Sequence, residues 1–349
     1  MNSPSPARKG ASLALMAAAL FGLSTPLVQH FGQGLGMFTT AGLLYLGAAG
    51  VALWLRLPAT REARVTRSDA PRLLWMSFFG AVLGPVALAW GLQRTSGTSA
   101  SLMLTLETVF TALLAWRLYG ETMDRRVVAA LLFLVAGGAV LVFDQSLAGD
   151  NQLLGLLAVL GATAAWGVDN SLSRQVAERD PGQVVLYKSG LGAAVTLVLA
   201  LVFAEPMPAW SAAMALLAVG ATGYGLSLRL YLLAQRAFGA GRTGSVFGFA
   251  PFIGALGAWI MGSHSGTWLL AVGGLLMLAG VGLHLLESHD HEHIHALLEH
   301  EHAHSHDDGH HLHRHEPMPT GPHSHWHQHP PVRHAHPHVP DAHHLHTHV

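Results

Sequence analysis

A single carboxylate, Glu107, lies inside a long apolar run from Gly97 to Trp116. At about 1.5 Å per residue this run can cross a bilayer, and Glu107 would lie about 14 Å along it, close to the midplane. Apolar surroundings favour a neutral carboxyl group, so Glu107 would bind a proton in a closed cavity and release it to water. Because ionisable groups at this depth are expensive and usually functional, we interpret Glu107 as a transport residue. The alternative is a protonated carboxyl group that holds two helices together.

Other polar and aromatic side chains in apolar segments are candidates for the same cavity. The full set of cavity candidates is Glu107, Asp169, Asn170, Ser24, Thr25, Trp90, Trp166, Lys188, Arg229 and Tyr224. Asp169 and Asn170 would either line the cavity or form hydrogen bonds between helices. Lys188 and Arg229 lie near segment ends, so by default their charged groups extend to the membrane surface. If either reaches Glu107 or Asp169 instead, the result is a charge-paired site for an amphoteric substrate.

The C-terminal tail carries a second pattern with chemical potential. Of the 26 histidines, 23 lie between His289 and His348, first at alternate positions in HDHEHIH and HEHAHSH. Imidazole is a common ligand of Zn, Ni, Cu and Co ions, so we expect divalent metal binding here, although no cofactor is required for transport. The expected ligands are His289, His291, His293, His295, His300, His302, His304 and His306. The alternative is a solvated tail that titrates with pH.

Two matches to HExxH begin at His291 and His300, a pattern typical of zinc proteases. In a tract so rich in His and Glu, composition alone produces this pattern, and no folded domain surrounds it. The chain has no cysteine, which excludes disulfides and thiolate chemistry. We therefore predict that the protein is not an enzyme.

Membrane spans are the elements that must position these residues. Only 11% of the 349 residues are charged and 51% are hydrophobic, which is unlike a soluble protein. The His-rich tail, by contrast, has no core to bury and is predicted to be disordered, apart from a short helical extension through Leu298. Apolar segments long enough to span a bilayer lie at about 11–31, 36–55, 73–92, 97–116, 126–143, 152–172, 183–203, 211–234, 244–262 and 267–286.

The basic residues orient these ten spans. With a cytoplasmic N-terminus, sixteen of the 19 Lys and Arg residues fall on the cytoplasmic side. Lys188 and Arg229 lie within spans, and only Arg94 is external. The external loops carry Asp144, Asp150 and Glu205 instead. Cytoplasmic loops of membrane proteins are enriched in Lys and Arg. We therefore predict a multi-pass protein of the cell inner membrane with both termini in the cytoplasm.

The two halves of the chain resemble each other. AALFGLSTPLVQHF in the first span aligns with TAAWGVDNSLSRQV in the sixth, and LETVFTALLAW in the fourth aligns with FAPFIGALGAW in the ninth. The first alignment places polar pairs at equivalent positions of spans one and six. Each half holds five spans, an odd number, so the second half is inverted relative to the first. Inverted repeats are typical of secondary transporters, with the substrate site near the midplane between the halves.

The stretch LETVFTALLAWRLYGE, Leu106 to Glu121, resembles the LEPVFAALLAWLLLGE pattern of the EamA branch of the drug/metabolite transporter superfamily. FGLSTPLVQ in the first span supports the resemblance, which covers about residues 10–286. Thr108 stands where the pattern usually has proline, whereas Pro251 keeps it in the second half. The resemblance implies an all-α membrane protein, with ten helices in two inverted five-helix repeats around a central cavity. The predicted regions are a cytoplasmic N-terminus (1–10), the first repeat (11–145), the second repeat (150–286) and a His-rich cytoplasmic tail (287–349).

The leading hypothesis is an exporter of a small metabolite, amino-acid-like or metal-chelating, that is coupled to protons and has a metal-binding tail. One alternative is an efflux carrier of divalent transition metals, although the spans offer few metal ligands besides Glu107 and Asp169. The other is a membrane metal sensor. The expected partners are the lipid bilayer, the substrate and metal ions at the tail, without nucleic acid. No feature of the sequence indicates an oligomeric state.

Overall fold

The computed structural model describes residues 6–55, 63–119, 123–173, 176, 179–238, 240–263, 266–285, 289–294, 298–304, 323–329 and 333–338. Within these residues, nine helices are long and apolar enough to cross a membrane, and a tenth apolar helix is slightly shorter. The helices are α1 (Pro6–Phe31), α2 (Met37–Trp54), α3 (Arg67–Leu92), α4 (Gly97–Leu118), α5 (Arg125–Ala148), α6 (Asp150–Ser173), α7 (Pro181–Val202), α8 (Trp210–Arg236), α9 (Thr243–Ile260) and α10 (Trp268–Leu285). The predicted all-α membrane body is confirmed.

Small residues bring the helices of this bundle together, and large apolar side chains cover its surface. Gly22 of α1 lies so close to α9 that a Cβ there would overlap the backbone carbonyl of Ala250, and a Cβ at Gly91 of α3 would likewise overlap the carbonyl of Gly155 in α6. Leu, Trp and Phe side chains such as Trp54 point outward. In a bilayer these outer side chains face lipid, while small residues allow the close packing that joins transmembrane helices.

Two helices at equivalent places in the two halves contain a π-helical turn. In α3 the turn runs from Phe78 to Leu83, and in α8 it runs from Gly220 to Leu226. A π-helical turn changes which backbone carbonyls are bonded within the helix and often marks a functional site. Both turns lie in the middle of their helices, where the two halves meet.

The α4 and α9 helices are also interrupted at equivalent places. A 3₁₀ turn at Leu104–Leu106 precedes Glu107 in α4, and α9 is broken between Phe247 and Ala250. The break in α4 therefore forms although Thr108 replaces the proline of the family pattern. Discontinuous helices of this kind supply the binding sites of many inverted-repeat transporters.

At each end of the bundle, a loop from one half docks on the start of a helix from the other half. At one end, Arg179 pairs with Asp69 at 3.1 Å, and the Asp180 N–H donates to the Ala63 carbonyl at 2.7 Å, just before α7 begins. At the opposite end, the Glu205 carboxylate accepts hydrogen bonds from backbone N–H groups at the start of α2, at 2.7 and 3.1 Å. The loops thus link α2 and α7, which pack against each other.

The tail contains four short strands where its composition predicts disorder. The strands are β1 (His289–Ile294), β2 (Leu298–His304), β3 (His323–His329) and β4 (Arg333–His338). β1 pairs with β4 and β2 with β3, both antiparallel. Because residues His289–Ile294 form β1, the predicted helical extension through Leu298 is wrong. The alternating HxHxH pattern has a period of two residues, which suits a strand rather than a helix.

Candidate functional site

A buried ion pair joins α6 and α7 inside the bundle. Lys188 Nζ donates to Asp169 Oδ2, and the two residues are only 3% and 4% exposed. Lys188 therefore does not extend to the membrane surface, which was its default interpretation. Instead it takes the alternative position and forms a charge pair. A buried charge that loses its partner is strongly unfavourable, so each residue requires the other.

The second oxygen of the Asp169 carboxylate is available as an acceptor. Oδ1 is buried and has no hydrogen-bond partner among the described residues. Gly80, in the π-helical turn of α3, lies directly against this carboxylate, and a Cβ at that position would overlap it. Buried polar atoms in proteins are nearly always hydrogen-bonded, so an unpaired carboxylate oxygen here is suited to a ligand donor.

Glu107 and Asn170 form a second polar pair next to the first. Asn170 Nδ2 donates to Glu107 Oε1 at 2.5 Å, which joins α4 to α6. Glu107 is half-buried and interacts electrostatically with both Asp169 and Lys188. It also lies in the first turn of the helical segment that follows the 3₁₀ turn. The interruption of α4 thus places the carboxylate next to the ion pair.

Aromatic rings from both halves pack together beside Gly80, which lies against the Asp169 carboxylate. Phe21 of α1 packs edge-to-face on Trp166 of α6 and Tyr224 of α8, with centroids 5.7 and 5.9 Å apart. Tyr45 of α2 packs on Tyr224 at 5.5 Å. The Tyr45 hydroxyl and the Trp166 Nε1–H, the latter at 3.0 Å, both donate to the Gly80 carbonyl. The π-helical turn of α3 thus presents a carbonyl that orients two rings of the site.

A second group of rings continues this lining beside α9. Phe247, at the break in α9, packs on Phe21 at 5.4 Å and on Tyr231 of α8 at 4.9 Å. The lining therefore draws on helices of both halves, as expected for a site between two repeats.

The remaining cavity candidates have other surroundings. Ser24 and Thr25 are buried in α1, and Ser24 Oγ donates to its own helix at the Phe21 carbonyl. The Trp90 ring lies under the guanidinium of Arg94, 3.8 Å from its centre. Arg229 donates to the Leu55 carbonyl at 2.9 Å, at the end of α2, as its default position near a span end predicts.

The expected metal ligands belong to the tail. Six of them, His289, His291, His293, His300, His302 and His304, lie on its strands, where only the backbone is described. His295 and His306 lie outside the described residues. Among the side chains that are described, no group of three His, Asp or Glu residues is arranged to hold a metal ion.

Sequence reasoning did not identify Tyr45, Gly80 or Phe21. Tyr45 is a lone phenol within an apolar span, which is a signal that could have identified it. Gly80 acts through its carbonyl and its missing side chain, and no sequence pattern predicts the π-helical turn that exposes them. Phe21 is an ordinary apolar residue by composition, and only the folded bundle shows which rings it contacts.

Comparisons with known proteins agree with this architecture. The EamA-like transporter family matches residues 8–143 and 153–286, one match in each half. An uncharacterized transporter from Methanothermobacter thermautotrophicus is 27% identical over 226 residues, which are 63% of this chain and 66% of the relative. The uncharacterized transporter YetK of Bacillus subtilis is 28% identical over 130 residues, 37% of this chain and 39% of its own length. The matches therefore span less than two thirds of either relative.

One crystal structure shares the fold, with a TM-score of 0.58 and 20% identity, covering 78% of this chain and 95% of that chain. Both halves of the chain match the same family, and the fold is a bundle of apolar helices long enough to cross a membrane. The protein is thus a multi-pass membrane protein that belongs to the EamA-like transporter family.

Proposed function

We propose that this protein exports a small amphoteric metabolite, amino-acid-like or metal-chelating, in exchange for protons. The observation that carries the proposal is the buried cluster of Asp169, Lys188, Glu107 and Asn170, which offers both signs of charge within an aromatic lining. A substrate with an ammonium and a carboxylate group can satisfy both signs, whereas a purely apolar molecule cannot. Export is directed across the inner membrane, with both termini in the cytoplasm.

The substrate would bind to two groups: a buried carboxylate oxygen that has no hydrogen-bond partner among the described residues, and a lysine that can exchange one carboxylate partner for another. The substrate ammonium donates to Asp169 Oδ1, the unpaired buried oxygen. Its carboxylate draws Lys188 away from Asp169, so the buried charges stay compensated throughout. The aromatic rings of Trp166 and Tyr224 exclude water and contact the apolar part of the substrate.

Glu107 supplies the proton coupling. In a closed, water-poor cavity its carboxyl group is favoured in the protonated form, and opening to water favours its ionisation. The hydrogen bond from Asn170 favours the ionised carboxylate, so movement of Asn170 with α6 changes the balance between the two forms. A proton therefore enters on one side and leaves on the other as the cavity changes its access.

The His-rich tail would act as a cytoplasmic metal-binding segment that controls export or collects a metal-chelating cargo. Its composition supports this role, because many interchangeable imidazole ligands are present. Transport of a bare metal ion is less well supported, since Lys188 neutralises Asp169 and a bare cation brings no carboxylate to draw the lysine away.

The test compares cells that express the full chain, full-length Glu107→Gln, and a truncation after Glu287. Asp150→Asn, which neutralises an exposed carboxylate, is the matched control. Medium and cytosol are analysed by untargeted metabolite profiling, together with cellular metal content. We expect full-length protein and Asp150→Asn to release an amphoteric metabolite that Glu107→Gln retains.

Two results would redirect this proposal. If Glu107→Gln changes cellular metal content without changing any released metabolite, the protein is a metal carrier. If Glu107→Gln releases every metabolite at the rate of the unmodified protein, the buried cluster is not the transport site. Truncation is expected to change the metal dependence of export while leaving the identity of the released metabolite unchanged.

A further inference from the structure

A cavity of about 560 Å³ opens where α1 and α3 end and where α4 and α6 begin. It shares no lining residue with the Asp169 and Glu107 cluster. Its volume falls within the range of about 300–1,000 Å³ that is usual for small-molecule sites. In the predicted topology this end of the bundle is external.

Among the described residues that line this cavity, Arg94 alone is charged. Its guanidinium lies 3.8 Å from the centre of the Trp90 ring and donates through Nη1 to the Trp90 carbonyl at 2.9 Å. These two contacts hold a flexible side chain in one orientation, because the stacked ring and the carbonyl act together. Arg94 is half-buried and therefore partly shielded from solvent.

The rest of the Arg94 guanidinium is available to a ligand. Within the described residues it makes no ion pair, and neither Nε nor Nη2 donates to a protein acceptor. Guanidinium presents five N–H donors in a planar fork that matches a carboxylate. An arginine that is fixed by stacking but has no counter-ion is suited to bind an anionic group.

Neutral polar groups supply the remainder of the lining. Gln29 Nε2 donates to the Leu92 and Thr95 carbonyls, both at 3.0 Å, which fixes the amide that joins α1 to the end of α3. Gln33 and Gln152 are exposed at the cavity. These amides can donate to and accept from the polar groups of a small metabolite without adding a competing charge.

We infer that this cavity binds small carboxylate-bearing metabolites, with the carboxylate on Arg94 and the rest of the molecule against the glutamine amides. The predicted topology places three other charged residues at this end, and all three are acidic: Asp144, Asp150 and Glu205. None of these three carboxylates lines the cavity, so Arg94 supplies the charge of the described lining and sets its preference for anions. An exported substrate would leave the protein through this cavity. That role rests on the proposed function, whereas the binding of carboxylates does not.

Ligand-observed NMR on the purified full-length protein in detergent tests the inference. The probes are N-acetyl-L-alanine and its neutral amide, N-acetyl-L-alaninamide, which differ only in the carboxylate. The variants are Arg94→Gln, Arg94→Lys and Arg126→Gln, the last of which removes the same charge from an exposed residue at the start of α5. Thermal unfolding of each variant is measured alongside, so that misfolded protein is recognised.

We expect N-acetyl-L-alanine to bind at least ten times more tightly than its amide to the unmodified protein and to Arg126→Gln. Folded Arg94→Gln should lose that preference, and Arg94→Lys, which lacks the planar fork, should keep part of it. Equal binding of the two probes, or a preference that survives in Arg94→Gln, would overturn the inference. If Arg94→Gln does not fold, Arg94→Lys decides, because an unchanged preference there contradicts carboxylate recognition by the guanidinium.

A further variant separates this inference from the proposed function. In Glu107→Gln the external cavity is intact, so the carboxylate preference should persist even if export is lost. Loss of binding in Glu107→Gln would place the probe in the central cluster and would contradict a separate site at Arg94. Conversely, export that does not depend on Glu107 leaves the binding result at Arg94 unaffected.

Discussion

Removal of Lys188 should destabilise the protein because it leaves the Asp169 carboxylate buried without a counter-charge. The pair is almost completely shielded, with residue exposures of 3% and 4%. The other oxygen of Asp169 has no hydrogen-bond partner among the described residues, so no second contact compensates for the loss. Breaking a buried ion pair of this kind typically costs about 3–5 kcal/mol, and we expect Lys188→Met to lower the apparent free energy of unfolding by about that amount.

The measurement is SDS-induced unfolding in mixed micelles, followed by circular dichroism, for Lys188→Met, Asp169→Asn and the double variant. The double variant should recover most of the loss, since it buries no charge. Arg179→Gln is the comparison, because the Arg179 side chain is 24% exposed and Asp69 keeps its hydrogen bonds from Thr66, so the expected loss is smaller than for Lys188→Met. Two results would refute a buried, mutually dependent pair. One is that Lys188→Met is as stable as Arg179→Gln, and the other is that the double variant is no more stable than Lys188→Met.

Three further predictions concern the start of α2, the packing at Gly80 and the His-rich tail. Glu205→Ala removes the acceptor at the start of α2 and should lower stability by about 1 kcal/mol, measured by thermal unfolding, whereas Glu205→Gln should lose less. Gly80→Ala should abolish export or folding, because its Cβ overlaps the Asp169 carboxylate, while Gly161→Ala, at a position with open space, should leave both unchanged; equal effects would contradict the packing. Truncation after Glu287 should abolish retention on an immobilised Ni²⁺ column, and retention by the truncated protein would locate the metal-binding histidines elsewhere.

The ionisable residues of the central site were predictable because charges are rare inside apolar spans. Residue type alone identifies Glu107, Asp169 and Lys188, because a charged side chain within an apolar span is costly and usually has a function. Their pairing was not predictable, because it depends on the rotation and depth of α6 and α7. A shift of two residues along α7 would have turned Lys188 away from Asp169. The default expectation of an outward-reaching lysine therefore failed at this position.

The irregular helices were predictable only in part. The repeat alignment indicated that α4 and α9 share a special segment, and both are interrupted there. Thr108 in place of proline gave no reason to expect a break in α4, yet the 3₁₀ turn forms immediately before Glu107. The π-helical turns of α3 and α8 have no recognisable sequence pattern, so the role of the Gly80 carbonyl could only come from the folded bundle.

The cavity at Arg94 shows a similar limit. Positive-inside reasoning predicts Arg94 as the one external cation, but no sequence pattern indicates that the Trp90 ring supports it. Trp90 was assigned to the central cavity because it is an aromatic residue within a span. Its position near the end of α3 instead places the ring under the guanidinium of the next turn, an i, i+4 contact that helical geometry allows.

The most direct test of the central claim is a proton-flux measurement in proteoliposomes that contain the purified full-length protein and an internal pH-sensitive dye. The twenty proteinogenic amino acids are added one at a time, and the rate of internal pH change is recorded for the unmodified protein, Glu107→Gln and Asp150→Asn. The account predicts that at least one amphoteric solute drives proton movement through the unmodified protein and Asp150→Asn, and none through Glu107→Gln. Proton movement that is equally fast in Glu107→Gln would contradict the assignment of the buried cluster as a proton-coupled transport site.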